Sequence, residues 1–473
     1  MLFSSILFLC IFLPLVLIAY HTVGHKFKNY VLLVSSLVFY AWGAPKFVFL
    51  LLVSLTINFY VVRQIHRDAK HRQLYLWTSV LINIGLLAYF KYANFFIENV
   101  NALLEAAGQH SVQWTSVALP IGISFFTFQS MTYTIDVYRK VHAPLKNIAD
   151  YFLYILMFPQ LIAGPIVRFN TVADDIIDRR KNESINEKLH GMYRFVIGLS
   201  KKMLIANVLG EQVDAIYSLP HSEVTTTLAW LAALAYSFQI YFDFSGYSDM
   251  AIGLGRIFGF KFPENFNNPY ISQNITEFWR RWHITLSDWM RDYLYIPLGG
   301  NRVETKMRLY VNLITVFLIS GLWHGASWNF VIWGAWHGSF LILDRVFLIK
   351  LFKGIGKLPR VLFTYLVVII GWVIFRVENI PDIRFYFGKM FSADQSAADY
   401  NISTESKYIM ILAALFSIIT LFNFGKRLQT FVFYTQYKRS IHIVASAILL
   451  ALLVINLSAV TSSDFNPFIY FRF

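Results

Sequence analysis

The chain has 473 residues, of which 57% are hydrophobic, 18% aromatic and only 14% charged, and its mean hydropathy is +0.52. That composition cannot furnish a water-facing surface, so it excludes an ordinary soluble globular protein and implies a polytopic membrane protein with membrane lipids as its surroundings. The formal charge of +14 is no nucleic-acid footprint, because the basic residues fall in short loops between apolar runs, as the positive-inside bias of membrane proteins requires.

Apolar runs long enough to span recur at 1–20, 29–43, 46–62, 74–92, 116–134, 226–242, 307–323, 327–344, 358–375, 408–424 and 441–459. The first lacks a basic leader and a small-residue cleavage pattern, so it reads as a retained span. A further run at 192–209 is interrupted by Arg194, Lys201 and Lys202. Counting it gives twelve crossings, and omitting it gives eleven. On the twelve-span reading Lys26, Lys28, Arg63, Arg67, Arg139, Arg179, Arg180 and the basic residues of 345–360 and 426–439 share the cytoplasmic face, which puts both termini outside.

Two stretches do not read as simple spans. The stretch 151–167 is apolar but broken by Pro159, Gly164 and Pro165, and irregular backbone at membrane depth must be shielded by protein or water, so it reads as re-entrant. The stretch 262–302 is too polar to span and too aromatic to be a solvated loop, and reads as a cytoplasm-facing re-entrant or interfacial segment. Within it Asn274 and Glu277 are spaced as a capping box. A helix starting there would bring Trp279, Trp282 and Trp289 to one face, with Arg281, Asp288, Arg291 and Asp292 in a charged network around His283.

Elsewhere, His324 stands in the apolar block Gly321-Leu322-Trp323-His324-Gly325. An ionisable side chain at bilayer depth is costly unless paired or facing a wet cavity, so it marks a functional site. Cys10 is the single cysteine, which excludes an internal disulfide and a cysteine metal cluster. His337 has no carboxylate or cysteine spaced to complete a metal site, and none is expected. His66, His71 and His190 read as loop residues. The glycines from Gly253 to Gly259 only approximate a dinucleotide fingerprint and read as tight helix packing.

The run 277–302, the Gly321 to Gly325 block and the later Trp333-Gly334 resemble the membrane-bound O-acyltransferase (MBOAT) family, in its alginate O-acetyltransferase branch. Further matching blocks begin at Leu119, Phe158 and Tyr241. The resemblance covers most of the chain as a single domain, 1–473. It implies an all-α polytopic membrane protein, about eleven or twelve transmembrane helices with re-entrant or interfacial helices around a central tunnel. It also implies acyl transfer from a cytoplasmic thioester, acetyl-CoA by likeness, with no tightly bound cofactor, to an acceptor outside. The family's histidine maps onto His324 and its second polar position onto His283, as catalytic residues. Arg281, Trp282, Asp288, Arg291, Asp292, Trp323 and Asp243 become tunnel or donor-binding candidates. An imidazole, with an ordinary pKa of about 6.5, is available as general base for the acceptor hydroxyl near neutral pH.

The C-terminal residues 460–473 form an aromatic tail outside the last span on this topology. The tail resembles that of the small companion peptide of teichoic-acid D-alanylation, and by that likeness Tyr470 would thread back, accept the acyl group and hand it to an extracytoplasmic lipase-like (SGNH-type) acyltransferase. An interfacial aromatic anchor is the plainer alternative. The final acceptor would be an exported cell-surface polysaccharide, and the location the bacterial cytoplasmic membrane. Teichoic-acid D-alanylation, peptidoglycan O-acetylation and solute transport are the competing functions. Transport would call for broken helices in two related halves, and the sequence contains no such repeat.

Overall fold

The computed structural model describes residues 1–162, 164–392, 402–462 and 465–469. Among these residues every element is helical, apart from one isolated bridge between Lys353 and Ile355. A helix satisfies its backbone groups within its own segment, which is what a hydrocarbon surrounding demands. Each expected apolar run falls on a helix. Seven described helices are both long and apolar enough to span, namely Pro45–Arg67, Arg72–Ala106, Lys306–His324, Trp328–Leu351, Lys357–Arg376, Thr404–Leu421 and Arg439–Ser462. The chain is therefore an all-α multi-pass membrane protein. The runs at 1–20, 29–43, 116–134, 192–209 and 226–242 lie in helices that fall short of that joint measure of length and hydropathy.

The described residues form two compact units, one of Met1–Lys188 with Leu254–Pro263, the other of Leu189–Gly253 with the described residues from Glu264 onward. In chain order the first unit contains α1 (Leu7–Thr22), α2 (His25–Gly43), α3 (Pro45–Arg67), α4 (Arg72–Ala106), α5 (Ile123–Tyr138), α6 (Ile148–Leu156) and α7 (Phe169–Ile177). The expected run at 116–134 begins late as a helix, because Gly122 takes a left-handed turn (φ +76°) and a Cβ there would stand 3.0 Å from the Leu161 carbonyl oxygen. The broken stretch 151–167 is indeed interrupted: α6 stops at Leu156 and only Phe158–Leu161 follows as helix. Its backbone is buried by neighbouring side chains. Lys28 and Arg179, counted above as loop charges, are instead buried, Lys28 against Glu183 and Arg179 through its Nε on the Phe258 carbonyl at 2.9 Å.

The second unit opens on α8 (Ile185–Ser200), which continues through a π-helical stretch, Lys201–Asn207, into α9 (Val208–Tyr217). There follow α10 (Thr226–Ile257), α11 (Ile275–Trp279), α12 (Ile284–Met290), α13 (Lys306–His324), α14 (Trp328–Leu351), α15 (Lys357–Arg376), α16 (Ile380–Met390), α17 (Thr404–Leu421), α18 (Asn423–Tyr434) and α19 (Arg439–Ser462). Arg194, Lys201 and Lys202 do not interrupt the 192–209 helix. They point at acidic groups of α10. Backbone touches backbone where α8 crosses α10: a Cβ on Gly198 would lie 2.5 Å from the Gly246 carbonyl oxygen, and one on Gly253 2.5 Å from that of Gly191. The glycines near Gly253 thus serve helix packing, as expected, because small residues allow helices in lipid to approach this closely.

Gly253→Ala is expected to cost about 1–3 kcal/mol through overpacking, read as a lower melting temperature in detergent, whereas Gly85→Ala in α4, with open space around it, leaves the melting temperature unchanged or higher. Equal effects would show that the α8–α10 contact is not as tight as described.

Candidate active site

Helices α13 and α14 form a hairpin with only three residues between them. Gly321 and Gly334 face each other across it, and a side chain on either would collide with a carbonyl of the opposite helix. That approach fixes His324, the last residue of α13, 3% exposed. Its ring packs edge-to-face on Trp333 of α14 at 5.0 Å and on Phe375 of α15 at 5.2 Å. The Trp323 ring lies 5.0 Å away on its own helix.

The expected single helix from Asn274 is two short helices, because the chain turns sharply between α11 and α12. Asn274 does cap the first, its Oδ1 accepting the Glu277 N–H at 2.7 Å. His283 then adopts a left-handed conformation (φ +44°, ψ 54°), a strain of about 1–3 kcal/mol for a non-glycine residue. Asn265 holds it there. Its carbonyl accepts the Ile284 N–H at 2.9 Å, and its Oδ1 accepts from the Thr285 hydroxyl at 2.9 Å. The same Oδ1 stands 3.0 Å from His283 Nδ1, while Asn265 Nδ2 donates to Ser248 Oγ at 3.1 Å. With the amide oriented by Ser248 and Thr285, Oδ1 is the acceptor, so His283 Nδ1 carries the proton and the lone pair sits on Nε2. Burial pushes the His283 ring down to about 3, so it is neutral at physiological pH. Its ring lies 6.0 Å from that of Trp323. One indole therefore neighbours both histidines.

The remaining candidates scatter. Trp282 is buried in an aromatic cluster with Tyr241, Phe266, Phe278 and Trp372. Arg281 pairs with Glu277 at 2.9 Å near the surface. The expected buried network around His283 does not form: Arg291 binds Asp288 at 2.8 Å and Asp292 at 2.7 Å, but its side chain is 54% exposed. The break at His283 turns those residues outward. Asp243 is buried against Lys202 at 2.8 Å and accepts the Ile469 N–H at 2.9 Å. The tail read as exposed is thus inserted over residues 465–469, with Phe468 and Ile469 buried. Tyr470 lies outside the described residues.

Sequence reasoning missed Asn265, whose role needs the fold of 248–285, and His337. The latter is fully buried between Trp279 and Trp333, each at 5.0 Å. His190 is no loop residue, since it lies in α8, buried with its ring 4.7 Å from that of Tyr437 in a tilted contact. The buried ionic network lies on α8 and α10, where Asp249 binds Arg194 at 2.7 Å and Lys201 at 2.6 Å. These residues, with Ser248, Glu264, Asn265 and Gln429, line a mostly apolar cavity of about 490 Å³. Neither active-site histidine lines it. Among the described residues no three His, Cys, Asp or Glu side chains gather as metal ligands.

Two buried histidines in an all-helical, multi-pass membrane body are what a membrane-embedded transferase working through an imidazole would need. Residues 47–353 match the membrane-bound O-acyltransferase family. The chain is 40% identical over its full length to the full length of a protein of Azotobacter vinelandii described as "Probable alginate O-acetylase AlgI". It is 45% identical to the protein of that description from Pseudomonas aeruginosa, over 83% of this chain and 75% of the relative. It is also 38% identical to the peptidoglycan O-acetyltransferase of Helicobacter pylori, over 80% of this chain and 78% of the relative. The chain belongs to the membrane-bound O-acyltransferase family and is an O-acyltransferase.

Replacing Asn265 by Ala should leave a folded protein with kcat at least about tenfold lower, since orienting partners of active-site histidines carry effects of that order. Arg291→Ala should stay within twofold of the parent, as exposed pairs contribute about 0–1 kcal/mol. Steady-state acyl transfer by both variants checks this, and the reverse ranking would return the site to the Arg291 cluster.

Proposed function

We propose that the chain takes an acetyl group from acetyl-CoA on the cytoplasmic side of a bacterial inner membrane and passes it across for O-acetylation of an exported cell-surface polysaccharide. The observation that carries this reading is His324 at the end of α13, walled by Trp323, Trp333 and Phe375, with the His283 ring 6.0 Å from the same Trp323 indole. In the transfer, His324 removes the proton of the acceptor hydroxyl as its oxygen attacks the thioester carbonyl. The new C–O bond forms, the C–S bond breaks, and the imidazolium returns the proton to the departing thiolate. The C-terminal end of α13 carries partial negative charge toward the ring while it holds that proton. His283, neutral and with its Nε2 lone pair turned away from Asn265, is an acceptor that orients the donor or the acceptor group.

The acceptor inside the protein is, on this reading, the Tyr470 hydroxyl. Burial of Phe468 and Ile469 immediately before it supports the reading. An acyl-Tyr470 ester would then be attacked by a serine of an extracytoplasmic lipase-like partner, which carries the acetyl group to the polymer. Both termini are outside on this arrangement. The relatives named for alginate support a polysaccharide acceptor, while the one named for peptidoglycan supports a second reading with the same chemistry and a different glycan.

His324→Ala is expected to lower polymer acetylation by about 10²–10⁴-fold, the range for loss of a general base, with the protein still in the membrane. Incubation with labelled acetyl-CoA followed by mass spectrometry of the C-terminal peptide should show the label on Tyr470 in the parent and none in His324→Ala or Tyr470→Phe. An unlabelled tail in preparations that acetylate polymer at the normal rate would remove the relay.

A further inference from the structure

One buried cluster in the second unit is not used by the chemistry at His324. Lys202, in the π-helical stretch after α8, and Asp243 of α10 face each other at 2.8 Å, with side chains 3% and 2% exposed. An ion pair buried this deeply is weak evidence for stability, because desolvation of the two charges offsets their attraction. What the pair holds is more informative. Asp243 Oδ2 accepts the Ile469 N–H at 2.9 Å, and Lys202 Nζ donates to the Pro467 carbonyl. One turn further along, Asn207 Nδ2 donates to the Phe465 carbonyl at 3.1 Å. Three main-chain groups within five residues are gripped by buried side chains.

Side chains of the tail are received too, but by shape. The Phe468 ring stacks on Tyr247 at 4.7 Å. Gly210 leaves room for the Phe465 ring, since a Cβ there would stand 3.1 Å from it. We propose that Lys202, Asp243 and Asn207 form a main-chain clamp, a built-in peptide groove whose occupant is the chain's own segment 465–469, and that the clamp fixes how deeply that segment is inserted. They are positioning residues. The inference deepens the acyl-relay reading and rests on it for its bearing on transfer, because the clamp ends one residue before Tyr470. Docking of the tail is a separate property and is measured separately.

A clamp that reads main chain tolerates a changed side chain at Ile469 but not a lost N–H. The test uses the full chain with its exposed Cys10 replaced by Ser and a single thiol introduced as Phe468→Cys, a position 4% exposed, followed by maleimide labelling in detergent. In this background labelling should be slow. Ile469→Pro, which removes the N–H donor and also restricts the backbone at 468 and 469, should speed it at least about tenfold, the ratio for losing one charge-assisted hydrogen bond of about 1.5–3 kcal/mol. Ile469→Val should leave it unchanged. The double variant Lys202→Met/Asp243→Leu removes both charges together and leaves no unpaired ion, and it should behave like Ile469→Pro. Slow labelling in all variants, or equal exposure by Ile469→Val and Ile469→Pro, overturns the clamp. Tyr470→Phe should leave labelling slow while abolishing transfer. Slow labelling with normal transfer in that variant would sink the relay and leave the clamp standing.

Discussion

Arg194, Lys201 and Lys202 on one helical run meet Asp243 and Asp249 on another, and the second unit is organised around that meeting. Charges inside an apolar body persist only when counter-ions and hydrogen bonds come with them. Here geometry supplies both, because glycines at 191, 198, 246 and 253 bring α8 and α10 into backbone contact. At the usual helix separation of about 8–10 Å short aspartates would reach less readily. Close packing thus makes the charges tolerable, and the charges in turn give the interior something specific to hold. Asp249 takes up the two cations that line the cavity, and Asp243 takes up the tail.

The histidines are treated differently. Both candidate rings, His283 and His324, are packed against aromatic carbon. Burial opposes charging of the His283 ring, which leaves a nitrogen lone pair available there. Asn265 fixes the tautomer of His283, and the α13–α14 hairpin fixes the depth of His324. Strain at His283, in a left-handed conformation, is offset by hydrogen bonds to Asn265 and would be hard to keep without them.

Legibility differed from element to element. Apolar runs marked the seven described helices that are long and apolar enough to span, since each must satisfy its own backbone whatever its neighbours do. Five other runs lie in helices short of that measure, and some bounds differ by about a dozen residues, as in Arg72–Ala106. The run 192–209 was harder to read because Arg194, Lys201 and Lys202 count as polar in a sequence, although each is neutralised from a helix some fifty residues later. The same blindness missed the burial of Lys28, which lies in α2, and of Arg179, which does lie in a loop. In 277–302 the i,i+3 spacing correctly predicted that Asp288 pairs with Arg291, while Arg291 also takes up its neighbour Asp292. The spacing did not predict that Arg291 and its partners lie near the surface, because the chain turns at His283 between α11 and α12 and no local pattern records that turn.

By itself the sequence determined an all-helical membrane protein of the O-acyltransferase family, with His324 and His283 as its marked residues, because hydropathy, composition and local motifs depend only on neighbours along the chain. Tertiary structure decided what those residues face: the single indole beside both histidines, the amide of Asn265 that selects a tautomer, the surface fate of Arg291, and the burial of a tail that reads as exposed. Each of these depends on contacts between residues far apart in the chain, and no local pattern encodes the distance or the direction of such a contact.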